Sequence, residues 1–159
     1  MGCLAGPVVA AAVIFHKNRV PDGIDDSKKL SAKRRCVLDA KIRESALSFA
    51  IAFAEVVEID TINIYHAGKL AMKRAIENLS LRPDFILLDG RGKLESDIAQ
   101  LAIIHGDALS ASIGAASILA KVYRDGWMER LDSEYPGYSF AKHKGYGSVV
   151  HRKFLQEKG

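Results

Sequence analysis

Residues 8–15 form an unbroken apolar run, Val8-Val9-Ala10-Ala11-Ala12-Val13-Ile14-Phe15, set off by Gly6-Pro7 before it and His16-Lys17 after it. The run is far shorter than the roughly 20 residues that a membrane-spanning helix requires. No basic stretch precedes it, as one would in a secretory leader. Without polar alternation it reads as a β-strand covered on both faces, and such a strand needs helices to cover it. The rest of the chain must therefore supply layers of helix.

The remaining pattern does so. Pro21-Asp22-Gly23 marks a turn. Ser31 is placed to cap a helix through Arg34, Leu38 and Ile42 that ends near Ser45. Residues 48–57, rich in Phe, Ile and Ala, read as a second strand. Helical spacing of Ile64, Ala67, Ala71, Ala75 and Leu79 predicts a helix over 62–79, closed by Arg82-Pro83. Residues 85–88 form a short buried strand delivering Asp89, and residues 101–104 form another, followed by Gly106 and Asp107. Steps of three and four from Ile113 to Leu131 predict a long helix over 110–131, and a last helix starts near Ser148. The order strand, helix, strand, helix, strand, strand, helix indicates an α/β layered fold.

With 159 residues, 48% apolar and 26% charged, the chain can bury a core and is expected to form one domain spanning 1–159. The 23 Lys and Arg outnumber the 19 Asp and Glu, giving net charge +4 and suiting a polyanionic partner. Cys3 and Cys36 stand in no CxxC spacing, which argues against a disulfide framework or zinc site. A reducing, cytoplasmic compartment is expected.

Asp89 and Asp107 follow short strands, where α/β sheets open their sites. Brought together, two carboxylates would need cations between them, and hard oxygens favour Mg²⁺ or Mn²⁺ over zinc. Equally, both are ordinary Asp positions in turns beside glycine. Asp26-Ser27-Lys28-Lys29 with Lys33-Arg34-Arg35 gathers five cations around a hydroxyl, either a phosphate grip at a helix start or a solvated charged face. Lys142-His143-Lys144-Gly145-Tyr146-Gly147 combines cations, glycines and a ring that can stack on a sugar or base, or is a surface turn with a packing tyrosine. Gly90-Arg91-Gly92-Lys93 is an anion nest or a flexible turn. Lys121, Arg124 and Asp125 are expected to make helix-local ion pairs. His66, His105, His143 and His151 lack metal-ligand spacing.

Several of these segments, taken in order, resemble bacterial ribonuclease HII, a type 2 ribonuclease H. They are Leu4-Ala5-Gly6-Pro7-Val8, Asp26-Ser27-Lys28-Lys29-Leu30-Ser31, Asn63-Ile64-Tyr65-His66-Ala67, Leu88-Asp89-Gly90, Gly106-Asp107, Ala115-Ala116-Ser117-Ile118-Leu119-Ala120-Lys121-Val122 and Lys142-His143-Lys144-Gly145-Tyr146. The resemblance implies a ribonuclease H-like mixed sheet flanked by helices. It also implies a metal-dependent endonuclease that cuts the RNA strand of RNA-DNA hybrids and ribonucleotides embedded in DNA, leaving 5′-phosphate and 3′-hydroxyl ends. By the same resemblance four carboxylates hold two Mg²⁺ or Mn²⁺ ions. Asp89 and Asp107 match the third and fourth of these, as catalytic and metal-binding residues. Gly2, Ser27, Lys28, Lys29, Lys121, Lys144 and Tyr146 match substrate-binding positions, Tyr146 being the tyrosine that packs on the sugar where RNA passes into DNA.

The resemblance also places a strand ending in Asp-Glu, then a Gly-Arg-Gly turn, ahead of Leu-Ala-Gly-Pro. Met1-Gly2-Cys3 stands there, with Gly2 alone matching the turn, and Gly159 stands where relatives continue. The expectation is a sheet lacking its first, central strand and a domain shortened at both ends. Unpaired strand groups would cost about 1 to 3 kcal/mol each when buried, against typical stabilities of roughly 5 to 15 kcal/mol. Little or no turnover is expected of this chain, and two alternatives follow: a non-catalytic hybrid-binding remnant, or an unstable fragment.

Overall fold

The fold is taken from a computed structural model, which describes residues 3–159. Strand β1, Val8–Phe15, pairs antiparallel with β2, Ala46–Ala54, in a register running from Val8 opposite Ala54 to Ile14 opposite Ser48. Between them lies helix α1, Ala32–Ser45. The Ser31 hydroxyl accepts from the Arg34 amide at 3.2 Å, the N-cap its position foretells. Alternate residues of the hairpin face opposite layers, as a period of two requires. Ala11, Val13, Phe49 and Ile51 pack against Leu38 and Ile42 of α1 and against Ala115, Ile118 and Leu119 of a later helix. Each such large side chain, fully buried, stabilises by roughly 1.5–3 kcal/mol.

The other face takes helix α2, Val56–Glu77, whose Ala67, Ala71 and Ala75 are fully buried opposite Ala50, Ala52 and Ala54. The second strand thus begins and ends earlier than 48–57 suggests, and Val56 and Val57 belong to the helix. The Glu55 amide donates to the Glu58 carboxylate at 2.9 Å, a reciprocal start signal that outweighs the local apolar content. α2 breaks at Asn63, where φ 63° and ψ 165° leave the helical region. The Asn63 side-chain oxygen accepts from the amides of Tyr65 (3.0 Å) and His66 (3.2 Å), so it caps the second half. That second start explains why helical periodicity is legible only from 62 onward.

β3, Phe85–Asp89, runs parallel to β4, Ala99–Ile103. Ile86 and Leu88 pack on Leu94, Met72 and Ile76. Phe85 and Leu87, expected to be buried, are 52% and 40% exposed, and lie on the opposite face of the strand from the buried Ile86 and Leu88. The chain continues through α3, Gly106–Leu109, α4, Ala111–Glu134, α5, Phe140–His143, and α6, Val149–Lys158. α5 is a short helix inside the segment expected to be all loop, and the Ser148 hydroxyl caps α6 at the His151 amide.

The sheet is mixed and flanked by helices, but it stands in two halves. Among the described residues β1 pairs with β2 alone and β3 with β4 alone. Between β1 and β3 lies an apolar cleft of about 810 Å³. No described helix is long and apolar enough to cross a membrane.

Candidate functional site

β3 ends on Asp89, and Gly90 (φ 100°) turns the chain away from the sheet. The Asp89 Oδ1 atom accepts from the Gly106 amide at 3.0 Å. Asp107 is the next residue. It does not close a strand as expected; β4 stops at Ile103, His105 reverses the backbone in a left-handed conformation (φ 57°), and Asp107 lies in the first turn of α3. A Cβ at Gly106 would lie 2.6 Å from Ile113 Cδ1, so a side chain there would have to push the end of Ile113 aside. The Asp107 side chain is 8% exposed and has Lys28 Nζ at 3.8 Å. The pair therefore offers hard oxygen donors of the kind that suit Mg²⁺ or Mn²⁺. Among the described residues no three His, Cys, Asp or Glu gather at one point, so the donors present number two.

Lys28 and Lys29 are accessible cations, with side chains 77% and 62% exposed, Lys29 lying 3.7 Å from Asp25. Ser27 is instead buried, its hydroxyl 2.9 Å from that of Ser117 on α4. Arg35 of α1 fixes this segment by donating to the carbonyls of Ser27 (2.9 Å) and Leu30 (2.7 Å). Its other nitrogen lies 3.3 Å from Asp125, which also takes Lys121 at 2.7 Å. The helix-local pair thus belongs to a bridge between α1 and α4.

Tyr146 sits on the other side of that bridge. The residue is 43% exposed, with Lys121 Nζ 5.2 Å and Arg124 Cζ 5.9 Å from its ring centroid. Arg124 is buried and makes no helix-local ion pair. It donates to the carbonyls of Pro7 (3.0 Å), Ala5 (2.9 Å) and Lys144 (2.7 Å), tying the segment before β1 to the Tyr146 turn. The same two segments join where the Leu4 amide donates to the Gly145 carbonyl at 2.8 Å, and where Cys3 and Tyr146 form an antiparallel backbone bridge. Gly145 (φ 79°) passes so close to the Ala5 carbonyl that no side chain fits there. Lys144 turns away from the site to Glu129 at 2.6 Å. Gly2 lies outside the described residues.

Beneath the turn His143 and His151 stack at 4.2 Å. The Gly145 amide donates to His143 Nδ1, so His143 Nε2 carries the proton given to the Tyr138 carbonyl at 2.7 Å. His151 Nδ1 likewise donates to the Tyr146 carbonyl at 2.9 Å. Motif reading missed Arg124, Arg35 and these two histidines as supports of the site. Arg124 had a signal: it lies four residues before Met128, on the buried face of α4.

Asp89 and Asp107 thus share one corner, with Lys28 beside them, while Lys121 and Tyr146 share another, joined to the Ser27 segment by Asp125 and Arg35. Ribonuclease HII of Myxococcus xanthus is 55% identical over 160 residues, covering the whole of this chain and 55% of that protein. Ribonuclease HII of Staphylococcus saprophyticus is 49% identical over 158 residues, covering 99% of this chain and 61% of that protein. The chain therefore spans little more than half the length of these curated relatives. Among solved structures, ribonuclease H2 from Pyrococcus horikoshii OT3 superposes with a TM-score of 0.84 at 27% identity, over 98% of this chain and 81% of that one. The ribonuclease HII of Archaeoglobus fulgidus, solved in complex with PCNA, gives 0.76 at 26% identity with the same coverage. The sequence profile of ribonuclease HII matches residues 1–159, and the chain belongs to the ribonuclease HII family.

Proposed function

We propose that residues 1–159 form a single domain of a metal-dependent endonuclease that cuts RNA within RNA-DNA hybrids and at ribonucleotides embedded in DNA. The observation that carries this reading is the Asp89–Gly106 hydrogen bond, which fixes one carboxylate to the residue preceding a second. Asp89 and Asp107 would hold a divalent ion, Mg²⁺ or Mn²⁺, whose chemistry is to activate water and stabilise a leaving oxygen, giving 5′-phosphate and 3′-hydroxyl ends. Lys28 and Lys29 would meet phosphates as exposed point charges. Tyr146, with Lys121 at its face, would pack on the sugar at the RNA-to-DNA junction, and discrimination would rest on the 2′-hydroxyl. Ser27 and Lys144 would position backbone, since the first is buried and the second is paired. Cys3 and Cys36 are both free thiols, which suits a reducing cytoplasm.

Two carboxylates cannot position two ions as four do, so low turnover is expected from this chain by itself. That favours a second reading, a hybrid-binding domain without catalysis. Anisotropy with a labelled duplex carrying one ribonucleotide, against the all-DNA duplex, tests recognition separately from cleavage. Preference for the ribonucleotide duplex, abolished by Tyr146→Ala, supports the reading; equal affinity for both duplexes overturns it.

A further inference from the structure

Tyr146 carries its ring on a turn whose backbone takes an unfavourable form. Lys144 (φ 50°) and Gly145 (φ 79°) are both left-handed, a conformation that a lysine seldom adopts. Such a form persists only where its surroundings over-determine it. Two buried histidines do so from the inner side of the turn. His143 Nδ1 accepts from the Gly145 amide at 3.2 Å, and His151 Nδ1 donates to the Tyr146 carbonyl at 2.9 Å. The Tyr146 amide in turn donates to the His143 carbonyl at 2.9 Å. The two imidazoles stack 4.2 Å apart and 12° from parallel, and the Phe140 ring stands nearly perpendicular to both, at 5.8 and 5.7 Å. His151 is fully buried, and among the described residues its Nε2 meets no hydrogen-bond partner. A leucine would fill that space without an orphaned nitrogen, so packing alone does not call for histidine there. What histidine supplies is the Nδ1 proton.

We propose that His143 and His151 are a coupled pair of positioning residues, one accepting from the turn and one donating to it, that set Tyr146 for discrimination of a ribonucleotide. The proposal rests on the reading above, in which Tyr146 packs on the sugar at the RNA-to-DNA junction. The two imidazoles hold opposite tautomers. His143 gives its Nε2 proton to the Tyr138 carbonyl at 2.7 Å and so keeps Nδ1 as an acceptor, whereas His151 keeps its proton on Nδ1. Exchanging the tautomers would set an N–H against the Gly145 amide and a lone pair against the Tyr146 carbonyl. The stack ties each ring to the other, and the Ser148 cap ties His151 to the first turn of α6. On its outer side the Tyr146 ring meets only the cations of Lys121 and Arg124, at 5.2 and 5.9 Å, so the backbone beneath decides where the ring stands. Sensing one hydroxyl demands that placement be kept to within about 0.5 Å.

The test titrates two labelled duplexes, one with a single ribonucleotide and one all DNA, with the 159-residue chain and its variants, and reads the ratio of the two affinities beside the Tm of each protein. His151→Leu keeps the bulk and removes the proton, and the preference is expected to fall about threefold to tenfold, as loss of one hydrogen bond allows. His151→Asn returns an amide N–H to the place of Nδ1. It is expected to recover most of the preference although its Tm falls at least as far as that of the leucine variant, because the smaller side chain leaves the stack unfilled. His143→Leu and His143→Asn repeat the contrast at the acceptor, and decide the matter where a His151 variant does not fold. Equal loss of preference in the asparagine and leucine variants would overturn the proposal, since a pair that merely fills space would make preference follow Tm. Unchanged preference in both leucine variants, where Tyr146→Ala abolishes it, would overturn the proposal and leave the functional reading standing. A native chain without any preference would overturn that reading, and the proposal with it.

Discussion

Asp89 and Asp107 are held in register by one hydrogen bond, from the Gly106 amide to Asp89 Oδ1 at 3.0 Å. The bond links the end of β3 to the first turn of α3 across the β3–β4 pair. The carboxylate it fixes lies at the mouth of the cleft between the two half-sheets.

Asn in place of Asp89 keeps an oxygen for the Gly106 amide and removes the charge. On the proposed reading, in which Asp89 holds the catalytic ion, Asp89→Asn is expected to lower kcat on the order of 100-fold or more in any form of the protein that cleaves. Tm should change by no more than about 3 °C, since a surface carboxylate contributes little to folding. Single-turnover kinetics and calorimetry on the same preparation check both halves.

Arg124 is expected to matter for stability and geometry together. Arg124→Met leaves the carbonyls of Ala5, Pro7 and Lys144 without their donor. The expected cost is about 3 kcal/mol, since a buried carbonyl left without a donor costs about 1 to 3 kcal/mol. Arg124→Lys should recover only part of it, because an ammonium cannot reproduce the guanidinium fork. Urea denaturation measures both.

How far the sequence alone carried is best seen in particular elements. β1, the Ser31 cap and the start of the last helix near Ser148 were legible because period and capping chemistry are local signals. The end of β2 was not, because Val56-Val57 looks like strand until the Glu55–Glu58 pairing is seen to start a helix. Asp89 and Asp107 were legible as candidates because each follows a short apolar strand, but the reversal at His105 that sets Asp107 in a helix is a backbone event with no sequence period. The inward turn of Ser27 and the Lys144–Glu129 pair depend on interactions between distant segments, which spacing does not encode.

The lysines should separate by salt dependence. Lys28→Ala with Lys29→Ala removes two exposed cations, and for every phosphate that is no longer neutralised the slope of log K against log salt should become shallower by about 0.9. Lys144→Ala should leave the slope nearly unchanged, because Glu129 already neutralises that charge. Hybrid affinity measured over a series of salt concentrations decides between them.

Acid should loosen α2. Glu58 and Arg74 pair at 2.6 Å across the Asn63 break. The Arg74 guanidinium and the Glu55 amide hold the Glu58 carboxyl down from its usual 4.5 to about 2. A depressed carboxylate stabilises the fold above its unfolded value, and that contribution is lost as pH falls through the folded one. Stability should therefore decline between about pH 4.5 and 2. Glu58→Gln should flatten that part of the curve, measured as Tm against pH.

The most direct test of the catalytic reading is cleavage of a duplex with one embedded ribonucleotide, in Mg²⁺ or Mn²⁺, by this chain and by the same chain extended upstream with a strand ending in Asp-Glu-Ala-Gly-Arg-Gly. Cleavage at the ribonucleotide by the extended protein, with little or none by the chain as it stands, is the expected result. Cleavage by neither would contradict the nuclease reading, and equal cleavage by both would contradict the claim that Asp89 and Asp107 need further carboxylates.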